Sequence, residues 1–110
     1  DSISNNFFLY ILGTYLTFYQ NTNIDLVIAN AGYANKTSIT DITDAEFEEA
    51  HNTIARSFFE LTTSAIPFLK KSNNGRIIGI SAFGPHDWRT QVMPYAATAA
   101  EKGTLEITAK

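Results

Sequence analysis

Apolar and polar positions follow two periods along this chain, and each change of period marks an element. Phe7 to Phe18 is the most apolar early stretch; Ser2 or Ser4 can cap a helix there, and Asn21-Thr22-Asn23 ends it after about Gln20 with turn-forming residues. Ile24-Asp25-Leu26-Val27-Ile28-Ala29 is a near-continuous apolar run too short for a helix, which predicts a strand buried on both faces of a parallel sheet and closed by Asn30-Ala31-Gly32. After a polar loop to Asp41, Thr43-Asp44-Ala45-Glu46 forms a capping box, with Ile42 and Phe47 at the staple positions around it. Phe47, Ile54, Phe58, Leu61, Ala65 and Leu69 then continue one stripe at helical spacing, predicting an amphipathic helix to about Lys70 whose last turn Pro67 kinks or loosens. Ser72-Asn73-Asn74-Gly75 stops it, and Arg76-Ile77-Ile78-Gly79-Ile80-Ser81 reads as a second buried strand.

Two apolar strands separated by a capped helix make a right-handed parallel crossover the default, so the fold class is α/β. Ligands in such sheets sit beyond the carboxyl ends of the strands. Here those ends are Asn30-Ala31-Gly32 and Ser81-Ala82, on the same side of the sheet, which defines a crevice.

Composition narrows the functions. With 110 residues, 45% hydrophobic and 13% aromatic, the chain can bury one core, and no repeat or linker divides it. The net charge of -3 has no run of either sign, which argues against nucleic acid and membrane surfaces as partners. Phe7–Phe18 is too short to span a membrane and lacks the basic flank and cleavage pattern of a signal peptide; a cytoplasmic location is the expectation. The absence of cysteine excludes a disulfide framework, a thiolate nucleophile and a cysteine-based zinc site.

Three ordered segments carry a resemblance. Ile24 to Gly32 resembles the strand ending in Asn-Asn-Ala-Gly that marks short-chain dehydrogenases/reductases, with Ala29 replacing the first Asn. Gly75 to Ser81 is similar to that family's next strand, and Pro94-Tyr95-Ala96-Ala97-Thr98-Ala99 to the start of the helix carrying its catalytic tyrosine. The resemblance implies a Rossmann-type three-layer α/β/α fold with a parallel sheet, present in part, and hydride transfer between NAD or NADP and a carbonyl or alcohol. It places Asn30, Ala31, Gly32, Ile80 and Ser81 beside the nicotinamide half of the cofactor and Tyr95 at the substrate, with Tyr95 and Ser81 as the catalytic candidates. It also implies a small-molecule carbonyl or alcohol substrate and a homo-oligomer formed through the 44–70 and 94–110 helices. The family's glycine-rich phosphate turn has no counterpart in these residues, so they correspond to a partial NAD(P)-binding domain spanning 1–110.

Catalysis in that family needs a tyrosine to move the alcohol proton, a lysine that lowers its pKa and holds the ribose, a serine that orients the carbonyl and an asparagine that supports a proton-relay water. Counted from Tyr95, the lysine position falls on Ala99 and the serine position on Ala82, next to Ser81. Counted from Pro67, the asparagine position falls on Ile54, although Asn52 lies two residues earlier, a rotation of roughly 200° about a helix. Lys102 follows Tyr95 by seven residues, an advance of roughly 10 Å, and reads as a solvated surface lysine. Without a neighbouring cation the phenol is a poor base at neutral pH, so whether the chain is an enzyme stays open. Halohydrin dehalogenases, a similar branch without the dinucleotide, place arginine at the lysine position, where Ala99 stands.

Each candidate has a plainer reading. Asn30-Ala31-Gly32 is also a turn that tolerates positive φ, and Tyr95 also a half-buried helix tyrosine. His51, among Glu48, Glu49 and Asn52, reads as solvated, and His86-Asp87 as a turn rather than a metal site. Trp88, Met93 and the phenylalanines read as core or loop packing. Two functions follow: an active or impaired oxidoreductase segment, or a non-catalytic nucleotide-binding or association module.

Overall fold

The structure is a computed structural model that describes residues 23–89 and 94–110; the helix predicted over residues 1–20 and Met93 lie outside them. Strand β1 spans Leu26–Ala29 and β2 spans Arg76–Gly79, paired parallel with Leu26 opposite Arg76 and Ala29 opposite Gly79. Arg76 N donates to Asp25 O and Ile80 N to Ala29 O, both at 2.9 Å, which extends the ladder at each end. The two carboxyl ends therefore lie on one edge, as the crossover argument requires.

The sheet alternates more than its sequence suggests. Val27 and Ala29 are buried at 9% and 7% exposure, whereas Leu26 and Ile28 remain 49% and 55% exposed. Side chains point alternately to the two faces of a strand, and among the described residues the packing covers one of those faces.

Helix α1, Asp44–His51, opens on the expected capping box: Glu46 N donates to Thr43 Oγ1 at 3.2 Å and Thr43 N to Glu46 Oε2 at 2.9 Å. The single long helix of the sequence reading is in fact three pieces, with a π turn at Asn52–Arg56 between α1 and helix α2, Ser57–Leu69. Packing gives the reason. Ala50, Ile54 and Phe58 all face the core, but steps of four residues drift about 40° each around an α-helix. The wider i→i+5 turn absorbs that drift. Ser57 Oγ donates to the carbonyls of Thr53 and Ile54, which lie in the wide turn.

Pro67 leaves α2 unbroken, and the helix continues through it to Leu69. Beyond the helix, a Cβ at position 75 would lie 2.5 Å from the Leu69 carbonyl oxygen, so only glycine lets the chain pass there. Ala29, Ile54, Phe58 and Leu105 form one core cluster and Val27, Ala65 and Leu69 another, with Leu61 and Ile77 packed against both. Leu105 comes from helix α3, Ala96–Thr108, whose buried positions are Ala97, Glu101, Lys102 and Leu105.

Candidate functional site

At the carboxyl end of β1 the chain turns through Asn30-Ala31-Gly32 with no positive φ at any described residue, so Gly32 is not required for a left-handed backbone. Close approach explains it instead. A Cβ on Gly32 would stand 3.0 Å from Lys102 Nζ and 3.2 Å from its Cε. Lys102, read from sequence as a solvated lysine, is 7% exposed, and its ammonium donates to Ile80 O at 2.6 Å and reaches Ala31 O at 3.5 Å. Two free carbonyls at the sheet edge are acceptors for which an ammonium is the matching donor, and this outweighs solvation of the side chain. Burial pushes the Lys102 amine below its usual pKa.

The lysine thus gathers three of the expected cofactor-side residues: Ala31 and Ile80 through their carbonyls, and Gly32 by contact. Asn30, immediately before Ala31, is exposed at the strand end. Ile54, at the asparagine position, is buried here and comes within 3.8 Å of the same Gly32 point, packing apolar surface where the resemblance calls for a polar side chain.

Counted back from Lys102, the residue four positions earlier is Thr98. Its hydroxyl donates to Tyr33 O and accepts from Asn35 N, each at 3.0 Å, tying α3 to the loop after the Asn-Ala-Gly turn. Tyr95 is not on the helix proper but caps its start. It lines a cavity of about 550 Å³ whose walls include Ala82, Phe83, Trp88, Arg89 and Ala99. Ser81 is not among the residues that line this cavity. Its hydroxyl donates to Glu106 Oε1 on α3, and Glu106 Oε2 meets His86 Nε2 at 2.7 Å. The Ser81 and His86 contacts hold the Glu106 carboxyl below the usual carboxylate range.

His51 is also not simply solvated, because its Nδ1 lies 3.0 Å from Oε2 of Glu101, a carboxylate residue only 3% exposed. His86 ends a short 3-10 turn, Gly84–His86, and no cluster of metal-ligating side chains occurs among the described residues. Arg89 pairs with Asp87, its NH2 group 2.7 Å from Oδ2, and holds the Asp87 carboxyl at about 2. Trp88 is 89% exposed and belongs to the cavity wall rather than the core.

Parallel strands ending together, a turn ending in glycine after β1 and a buried cation beneath it define a crevice of the kind in which open α/β sheets bind ligands. The sequence profile of a family described as enoyl-(acyl carrier protein) reductase matches residues 17–110. The chain belongs to the short-chain dehydrogenase/reductase family. It is 28% identical over 87 residues, 77% of its length, to a (5R,7aS)-5-hydroxy-7a-methyl-1-oxo-2,3,5,6,7,7a-hexahydro-1H-indene-carboxyl-CoA reductase of Mycobacterium tuberculosis, covering 32% of that protein. It is 33% identical over 78 residues, 71% of its length, to the dehydrogenase OXI1 of Cochliobolus heterostrophus, covering 33% of it. It therefore spans about a third of the length of these curated relatives. An NADPH-bound carbonyl reductase from chicken fatty liver superposes with a TM-score of 0.78 at 23% identity, over 98% of this chain and 46% of that one, which establishes the Rossmann-type fold. No helix among the described residues is long and apolar enough to cross a membrane.

Proposed function

We propose that these residues form the nicotinamide-side half of an NAD(P)-dependent oxidoreductase site in which cofactor binding outlasts efficient catalysis. The observation that carries this reading is the seat of Lys102, a buried cation held by Ile80 O and Ala31 O directly under Gly32. An ammonium has three donors, and the two carbonyls accept two of them. The third is available to a hydroxyl of a ribose laid along Asn30-Ala31-Gly32, where a Cβ at position 32 would crowd the ammonium at 3.0 Å. The nicotinamide group would supply the hydride chemistry; what the chain supplies is the cation, the backbone wall and the adjoining cavity.

The proton-moving side of the site is weaker. Thr98 stands four residues before Lys102, where the family's spacing asks for tyrosine, and an aliphatic hydroxyl is a far weaker acid than a phenol. Ala82 offers no hydroxyl to a carbonyl oxygen, and Tyr95, the phenol on the cavity wall, is seven residues from the lysine. A lysine under the turn favours the dehydrogenase reading over the arginine-bearing lyase branch.

Titration of the chain, and of the longest polypeptide that contains it, with NADH and NADPH tests the reading by nicotinamide fluorescence and melting temperature. Micromolar binding is expected, with about 2.7 kcal/mol of stabilisation at a hundredfold excess over Kd, and only slow carbonyl reduction. Absence of binding by the longer polypeptide would contradict it.

A further inference from the structure

The turn between α2 and β2 holds the one asparagine of the sequence that is followed by glycine, Asn74-Gly75. Asn73, Asn74, Gly75 and Arg76 are all exposed. Approach to Leu69 O keeps position 75 a glycine, since a Cβ there would lie 2.5 Å from that oxygen. The same missing Cβ leaves the Gly75 amide nitrogen open to the side chain before it. Among the described residues that nitrogen donates no backbone hydrogen bond. The Asn74 side chain is held as well: Arg76 Nε and its NH2 group both donate to Asn74 Oδ1 at 3.2 Å, while Asn74 N donates to Ser72 Oγ at 3.1 Å. Two guanidinium donors on one carbonyl oxygen draw electrons from the amide carbon and match the negative charge that oxygen gains when the carbon is attacked.

We infer that Asn74 is a site of spontaneous deamidation, in which Arg76 activates the side-chain amide and an aspartyl or isoaspartyl residue forms just before β2. The Gly75 amide gives its proton to solvent base and its nitrogen bonds to Asn74 Cγ. The bond from Cγ to Nδ2 breaks, and Nδ2 leaves as ammonia with a proton taken from water. Water then opens the cyclic imide. Cleavage of the new bond to Cγ gives an ordinary aspartate; cleavage between the same nitrogen and the Asn74 main-chain carbonyl carbon gives the isoaspartyl linkage. One water enters and one ammonia leaves, with no change of oxidation state. The isoaspartyl form routes the main chain through the side-chain carbon and so adds one backbone atom ahead of Arg76, whose N–H to Asp25 O opens the ladder. The close approach of Gly75 to Leu69 O leaves no slack for that atom, so it displaces the first pairing of the sheet, Leu26 with Arg76. This chemistry needs no cofactor and is independent of the oxidoreductase reading.

The longest polypeptide containing these residues is aged at neutral and mildly alkaline pH, both folded and in urea, and mapped by tandem mass spectrometry. In the folded protein the one-dalton gain of an amide becoming an acid is expected at Asn74 ahead of every other asparagine of the sequence. It should come faster as the pH rises, because the attacking amide must lose its proton. An isoaspartyl methyltransferase should label the aged sample, and the labelled fraction should melt at a lower temperature. Asn74→Gln should remove the label, since its longer side chain closes a larger ring far more slowly. Arg76→Met should slow the folded reaction on the order of threefold or more and leave the rate in urea unchanged. Arg76→Lys, which keeps the charge without the two-point donation, should fall between. Reaction of Asn74 in urea but not in the folded protein overturns the inference, because the turn would then protect the amide it is said to activate. Equal folded rates for the parent and Arg76→Met overturn the part assigned to Arg76, and a labelled fraction that melts like fresh protein overturns the displacement of β2.

Discussion

Lys102 governs the site because one side chain answers two backbone carbonyls just beyond the ends of the two strands, and Gly32 leaves it room. Gly32→Ala puts a methyl group 3.0 Å from the ammonium, so the lysine must move or the turn must shift. A loss of about 1–3 kcal/mol is expected in denaturant unfolding, the usual cost of overpacking a close contact. In the Lys102→Met background that loss should shrink, since the group the methyl displaces is gone; an unchanged loss would place the strain elsewhere. Ile54→Asn, which restores the family's residue type, should destabilise by about 2–4 kcal/mol, because position 54 lies within an apolar cluster with Phe58 and Leu105. Asp87 is shifted downward by its pairing with Arg89. Its folded pKa is depressed from 3.8 to about 2, so its pairing with Arg89 is fully present above pH 3.8 and is lost as the pH falls toward 2. Trp88 lies between the two in the chain, and its emission should change in that window.

Among the elements, α3 does the positioning. Lys102 and Glu106, one helical turn apart, hold the successive residues Ile80 and Ser81 at the end of β2, and Glu106 also holds His86 in the turn that follows. Glu106→Ala should release Ser81 and His86 together, lowering the melting temperature and loosening the cavity wall at Phe83 and Pro85, while Glu106→Gln retains part of the contact; equal melting temperatures for both variants and the parent would show the clasp to be idle. Little of this is legible in the sequence. The strands, the capping box and the parallel crossover follow from local pattern and turn chemistry, which is why they were readable. The π turn follows from where Ala50, Ile54 and Phe58 must point, a tertiary demand that no local periodicity announces. Lys102 is hidden by its spacing, since a four-residue step from Tyr95 lands on Ala99. Counting from the lysine itself, one position beyond the Ala97–Glu101 step of the inner face, gives the four-residue partner Thr98 and a buried cation. Glu101 and His51 escaped for a similar reason, since each looks solvated until the helices carrying them are packed together.

For the molecule as a whole, the described residues form a two-stranded sheet with helices packed on it, and apolar surface remains on the outside. Phe59 of α2 is 53% exposed and Ile107 of α3 67%, on the two helices through which the family resemblance implies association. Self-association through these faces is the proposal that follows, and sedimentation should show a dimer that Phe59→Glu dissociates; a monomer at all concentrations would remove it. The central claim, that the cofactor's cation is Lys102 rather than a residue missing from position 99, is tested most directly by NADPH titration of three proteins: the parent, Lys102→Met and Ala99→Lys. The account predicts that Lys102→Met weakens binding by about tenfold or more, in keeping with about 1.4 kcal/mol or more for a charge-assisted contact, while Ala99→Lys brings no gain. Undiminished binding by Lys102→Met, or tighter binding and faster turnover in Ala99→Lys, would contradict it.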